Sequence, residues 1–302
     1  MTDNAHPNHA TSGRVVVTGA SGKLGGAVVA ELAEHGWDVL AVDQLAPPVR
    51  AGGKYVQADL TDFGQVVELL TGFDEGAPAT AIVHLAAIPA PGLVPDAATF
   101  ANNVPATYNV FRAARVAGIR NIVWASSETV LGLPFDVPPP YVPVDEEYPV
   151  QPWSTYSLGK AVEEEMARHF TRWDPLLKLV ALRYSNVMLP ADYARFLTWQ
   201  DSAKTRRWNM WSYIDARDGA MAARLALEAD FTGFEAFIIA NADNVMTRDS
   251  GDLLDEEFPG IPRQRDIVGR ETLLSIDKAR RWLGYEPQHN WQTEVHSLGL
   301  SL

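Results

Sequence analysis

Tyr156 and Lys160 place a phenol and an ammonium four residues apart, in a stretch that reads as a helix over 154–170. Positions i and i+4 share a helical face, so both side chains point into one space. A fixed cation beside a phenol lowers its pKa from the usual ~10. That suits the tyrosine to general acid or base work near neutral pH. Tyr-x-x-x-Lys also arises by chance, as a surface aromatic beside a solvated lysine. Its meaning depends on the elements that would hold it.

Those elements read as alternating strands and helices. Val15-Val16-Val17 is a short apolar strand, followed by a helix over 22–36 with Leu24, Val28, Val29 and Leu32 on one stripe. Further strands are expected at 39–42, 55–58, 82–85 and 121–125. Val66, Val67 and Leu70 mark one intervening helix, and residues 100–117 another. Such alternation predicts an α/β, Rossmann-type fold, a doubly wound parallel sheet covered by helices on both faces.

The first strand and helix are joined by Thr18-Gly19-Ala20-Ser21-Gly22-Lys23-Leu24-Gly25. Glycines at 19, 22 and 25 permit a tight turn, close approach of a pyrophosphate to the backbone, and close packing of helix on sheet. The helix N-terminus then offers free N–H groups to the phosphates. Asp43 ends the second strand, where a carboxylate accepts bonds from an adenosine ribose and repels a 2′-phosphate. The combination predicts a dinucleotide cofactor, NAD in preference to NADP.

These motifs together resemble the extended short-chain dehydrogenase/reductase family, of NAD-dependent epimerase/dehydratase type, over roughly residues 14–291. Residues 18–25, with Gly19, Ser21, Gly22, Lys23, Leu24 and Gly25, are similar to its cofactor loop. The resemblance implies that Asp59 and Leu60 touch the adenine and that His84-Leu85-Ala86-Ala87 runs along the cofactor. It implies that Asn103 supports the sheet and active site, beside the cofactor, and that Ala125-Ser126-Ser127 supplies the catalytic hydroxyl. Tyr156 and Lys160 become the catalytic pair, with Lys160 also holding the nicotinamide ribose. Residues 183–187 and 213–218 resemble two later motifs of the family, in the expected order.

Hydride transfer between a carbinol and nicotinamide needs a base for the hydroxyl proton and donors for the forming carbonyl. Tyr156 fits the base, its pKa lowered by Lys160 and by the oxidised nicotinamide. Ser127 fits the second partner of the reacting oxygen, and Ser126 is the competing assignment. His84 reads as a packed, hydrogen-bonded residue near the pyrophosphate.

The organisation expected is a tail over 1–12, an NAD-binding domain over 13–185 to which 213–240 returns, and a small C-terminal substrate lobe over 186–302. A helix at 215–228 and a strand at 236–239 would rejoin the sheet. The segment 187–212 holds Tyr193, Arg195, Phe196, Trp199, Arg206, Arg207, Trp208, Asn209 and Trp211. Aromatic faces with guanidinium and amide donors suit a sugar or sugar acid, and the same tryptophans could simply plug the lobe onto the sheet. Arg195 is the candidate substrate anchor, with Trp199, Asn186 and Glu128 beside it. Arg206 and Arg207 read as surface or subunit contacts. The shortness of this segment resembles the compact uronate dehydrogenases, but Glu128-Thr129 stands where those enzymes carry Asn-His. A carboxylate at 128 repels a uronate or accepts from a neutral hydroxyl.

Composition bounds the rest. A formal charge of −13 over 302 residues argues against a nucleic-acid partner. There is no cysteine, and the seven histidines lack ligand spacing, so no metal is expected. No run is long and apolar enough to span a bilayer, and the polar first dozen residues lack a signal-peptide core. A cytoplasmic enzyme follows, with the 154–170 helix available for a homodimer. Three functions remain: an NAD-dependent dehydrogenase of a sugar, sugar acid or polyol, a sugar-nucleotide epimerase with retained NAD, and a non-catalytic dinucleotide sensor.

Overall fold

The computed structural model describes residues 12–46, 54–73 and 76–299. In chain order its elements begin with β1 Ser12–Thr18, α1 Lys23–Glu34, β2 Trp37–Asp43, β3 Lys54–Gln57 and α2 Phe63–Gly72. Next come β4 Ala79–His84, α3 Asp96–Ala117, β5 Asn121–Ser127, α4 Thr155–Trp173 and β6 Lys178–Tyr184. The rest are β7 Val187–Met188, β8 Ile214–Asp215, α5 Ala216–Glu228, β9 Gly233–Ile239, α6 Ser250–Glu257, α7 Asp277–Leu283 and α8 Trp291–Ser297. The tail expected over 1–12 lies outside the described residues, except Ser12, which starts β1.

Seven strands form one parallel sheet in the order β3-β2-β1-β4-β5-β6-β9. The chain winds outward from β1 to β3, then restarts at β4 on the other side of β1. That reversal opens a crevice at the carboxyl ends of β1 and β4, where open α/β sheets bind ligands. Period-two alternation sends successive side chains to opposite faces. Val15, Val17, Val83, Val123 and Leu182 join the core on the α1 and α5 side. Val16, Leu40, Ile82, Ile122 and Trp124 join the core under α2, α3 and α4. Each fully buried Val or Leu contributes roughly 1.5–3 kcal/mol, so both layers fix the strand register.

Side-chain caps set where half of the described α-helices start. Asp62 accepts from the N–H groups of Gly64 and Gln65 to open α2. Ser154 and Ser157 form a reciprocal capping box at α4, and Asp215 caps α5. The second lobe follows β6. It contains the β7–β8 pair and two 3-10 stretches, Pro190–Trp199 and Ala203–Asn209. Phe196 is its aromatic centre, stacked on Trp199 at 4.6 Å and edge-on to Tyr193 and Tyr213. Trp211 and Trp291 are fully buried around it.

Candidate functional site

A cavity of about 1020 Å³ runs along the carboxyl ends of β2, β1, β4, β5 and β6. At one end it is floored by the glycine loop. Gly19 has φ +70°, and a Cβ there would lie 2.6 Å from the Ala86 nitrogen. A Cβ on Gly25 would lie 1.9 Å from the Gly19 carbonyl oxygen. Both positions therefore require glycine to seat α1 against the strand ends. Gly22 is different: its Cβ would meet only the Gly19 oxygen, at 3.3 Å, so its side faces open space. Gly22 is also the N-cap of α1, with no side-chain cap and no acid in the first turn. The N–H groups and positive dipole end of α1 are left for an external anion.

Asp43, at the end of β2, accepts from the backbone N–H of Ser21 at 2.9 Å and of Leu45 at 3.1 Å. Ser21 thus braces Asp43 from outside the cavity lining. Asp59 accepts from the Thr61 N–H and hydroxyl, which hold its carboxyl below the usual range. Lys23 lines the cavity and pairs with Asp192 of the second lobe at 2.6 Å, tying the loop to that lobe. Leu24, Leu60, Leu85, Ala86 and Ala87 complete this half. Asn103 does not reach it. Its amide is buried, accepting from the Ile88 N–H at 2.8 Å and donating to the Ile88 carbonyl at 3.0 Å. That double contact pins the loop after β4, and the neighbouring Asn102 lines the cavity instead.

The other half gathers Ser127, Tyr156 and Lys160, all buried and all lining the cavity. The Ser127 hydroxyl accepts from the Thr129 N–H at 3.1 Å and hydroxyl at 2.9 Å, and it lies close enough to the Tyr156 phenol to favour its ionised form. Ser126 faces away: its hydroxyl donates to Glu164 at 2.7 Å, where Arg183 also makes a two-point contact. The alternation of β5 therefore separates the two serines. Burial raises the Tyr156 pKa above the usual phenol value, with Lys160 and Ser127 only partly offsetting it. The lowering expected from Lys160 alone is thus overridden by desolvation. The Lys160 ammonium donates to the Ala125 carbonyl at 2.8 Å and to Glu163 at 3.0 Å. His84 is fully buried between Thr18 and Thr107, and burial pushes its pKa down to about 3. It is a neutral strut near the loop.

Glu128 lies in the wall beyond Ser127. It accepts from the Ser185 hydroxyl at 2.5 Å and from the Asn209 amide at 3.2 Å. Burial raises its pKa to about 7 against those bonds. Asn186 and Trp208 line the same end. Arg195 and Trp199 do not: Arg195 is exposed, and Trp199 is stacked on Phe196 in the lobe core. Arg206, expected at the surface, is buried behind the wall. It donates to Asn186 at 3.1 Å and to the Ser212 carbonyl at 2.9 Å, between the faces of Trp199 and Trp208. The 3-10 winding of residues 190–199 and 203–209 turns Arg195 out and Arg206 in. Of the residues missed, Trp153 sits at the cavity rim with 64% of its surface exposed.

Comparison with known proteins settles the family. A model of the "NAD dependent epimerase/dehydratase family" matches residues 15–240. The chain belongs to that family. The bovine (Bos taurus) UDP-glucose 4-epimerase is 29% identical over 189 residues, a match covering 57% of this chain and 53% of that one. The chain thus spans about half the length of that relative. A solved UDP-galactose 4-epimerase is similar throughout, with a TM-score of 0.68 and 28% identity, covering 93% of this chain and 96% of that one. A mutated uronate dehydrogenase shares the fold, with a TM-score of 0.67 and 21% identity over 95% of this chain and 86% of that one.

The family is one of NAD-dependent enzymes, and the chain has the Rossmann-type sheet expected from sequence. The residues present fit that cofactor. The uncapped α1 terminus suits a pyrophosphate, the braced Asp43 carboxylate a ribose diol, and the cavity continues unbroken from both to Tyr156. Among the described residues, no helix is long and apolar enough to cross a membrane.

Proposed function

We propose that the protein is a dehydrogenase that oxidises a secondary hydroxyl of a compact, neutral sugar or polyol. Bound NAD supplies the hydride acceptor. The chain's own residues do the remaining work. Tyr156 takes the hydroxyl proton, Ser127 holds the reacting oxygen, and Lys160 orients the nicotinamide ribose and stabilises the phenolate. Gly19, Gly22, Lys23, Leu24, Gly25, Asp43, Asp59, Leu60, Leu85, Ala86 and Ala87 are proposed to form the cofactor contacts.

One observation carries the choice of substrate class. Among the described residues lining the cavity, only Lys23 and Lys160 are cationic, and Lys23 belongs to the cofactor end. A nucleoside diphosphate at the far end would meet no guanidinium or ammonium to match its charge. It would meet Glu128, Trp153, Ser185, Asn186 and Trp208, a wall suited to hydroxyl groups and a ring face. Glu128 equally disfavours a uronate carboxylate there.

A second reading, sugar-nucleotide epimerase, draws support from the epimerases among the relatives. The two differ in a direct assay. A dehydrogenase binds NAD reversibly and accumulates NADH with free sugars. An epimerase purifies with nicotinamide retained and interconverts UDP-sugars without net NADH. Turnover of UDP-sugars alone would overturn the dehydrogenase proposal.

We also place the enzyme in the cytoplasm, where a cysteine-free chain is at no disadvantage. A homodimer across α3 and α4 is supported by Phe100, Tyr108 and Leu158, apolar side chains exposed on those helices. Sedimentation that gave a monomer at micromolar concentration would remove the dimer.

A further inference from the structure

Helix α4 buries two adjacent carboxylates, Glu163 and Glu164, with 0% and 2% of their surface exposed. Carboxylates are almost never buried so completely unless paired. Glu164 is accounted for by Arg183 and Ser126. Glu163 meets Lys160, its neighbour at i+3, with Oε2 accepting from the ammonium at 3.0 Å. An ammonium has three donors. The Ala125 carbonyl takes a second at 2.8 Å, which leaves one for the cavity that Lys160 lines.

A neutral chain of donors supports the same carboxylate from the other side. The Thr18 hydroxyl accepts from the N–H groups of Leu85 and Ala86, so its own hydrogen goes to His84 Nδ1 at 2.7 Å. His84 Nε2 then carries the ring hydrogen and donates it to the Thr107 hydroxyl at 3.1 Å. The Thr107 hydrogen is free to turn to Glu163, against which it lies. Glu163 Oε1 makes no hydrogen bond itself, so Thr107 is the hydroxyl placed to reach it.

We propose that Glu163 is a positioning residue, whose carboxylate fixes the Lys160 ammonium against the sheet and cancels part of its field at the Tyr156 phenol. The inference rests on the hydride-transfer reading of the site. Burial pulls the Lys160 pKa down, and Glu163, Tyr156 and Glu164 together more than offset it, so the ammonium stays charged. The same negative charge opposes ionisation of Tyr156. The other charges around the pair are Glu164 on α4, Arg183 on β6 and Glu128 after β5, with neutral His84 on β4. Arg183 and Glu164 neutralise each other, so Glu163 is the counter-charge that sets the net field of Lys160.

The test is an ultraviolet difference titration of the tyrosinate, each protein with saturating NAD minus its Tyr156→Phe counterpart. In Glu163→Gln the amide keeps the shape of the contact and loses its charge. The Tyr156 midpoint is expected to fall by roughly one pH unit, while Glu163→Asp stays near wild type. A midpoint that is unchanged or raised in Glu163→Gln overturns the proposal. Should that variant fail to fold, Thr107→Val takes its place. It removes the hydroxyl that supports the carboxylate, a smaller fall is expected, and no fall is again contrary. The titration needs no substrate, so an enzyme that turned over no free sugar would refute the dehydrogenase reading without deciding this one.

Discussion

Glu128→Gln is the substitution whose effect can be worked most fully from the structure. The Glu128 carboxyl is buried beside Ser185 and Asn209, and its pKa is raised from 4.5 to about 7. The folded protein therefore holds a proton on this group over a pH range where the unfolded chain has released it. Stability from this residue is complete below the unfolded pKa, falls as pH rises from 4.5 to about 7, and is flat above. At roughly 1.4 kcal/mol per pH unit the loss amounts to about 3 kcal/mol. Glutamine keeps the size and cannot ionise, so it removes this dependence. Urea unfolding of both proteins at pH 5 and pH 8 isolates the effect, because every other titrating group cancels in the difference. The variant should gain about 2–3 kcal/mol relative to wild type between the two conditions. An equal difference at both values would show that Glu128 is not desolvated as its surroundings require.

Four further outcomes follow from the same geometry. Gly25→Ala puts a methyl 1.9 Å from the Gly19 oxygen and should weaken NAD binding at least about tenfold by calorimetry; unchanged affinity would refute the packing role of that glycine. Ser127→Ala should lower kcat by about 10²-fold or more with stability little changed. Ser126→Ala should do the reverse, costing about 1–2 kcal/mol in unfolding because Glu164 loses a buried donor, with modest loss of turnover. Arg183→Leu strands the Glu164 carboxylate in the core and should cost about 3–5 kcal/mol in thermal or urea unfolding.

The sheet was legible in sequence because its strands are apolar on both faces and are separated by helices with clear stripes. Expected strands at 39–42, 82–85 and 121–125 correspond to β2, β4 and β5, which run one to three residues longer at one or both ends. The glycine loop was legible for a different reason, since backbone clashes at 19 and 25 leave no other residue type. The second lobe was not. Its 3-10 stretches have neither the strand nor the α-helix period, so the facing of Arg195, Trp199 and Arg206 could not be read from spacing. Asn103 was placed correctly on its helix, yet its buried contact with Ile88 depends on a loop whose path the sequence does not specify. Glu163 was passed over because an acid three residues after a lysine looks like an exposed helix pair. Only the depth of α4 against the sheet makes it a buried one.

Hydride transfer through Tyr156 is the central step of the proposed reaction. Wild-type and Tyr156→Phe proteins, confirmed to bind NAD with similar affinity, should be assayed for NADH formation against free neutral sugars, uronates and UDP-sugars. NADH is expected from one or more neutral sugars with wild type, with a fall of at least about 10²-fold in the variant. Undiminished turnover in Tyr156→Phe, with NAD still bound, would contradict hydride transfer through Tyr156.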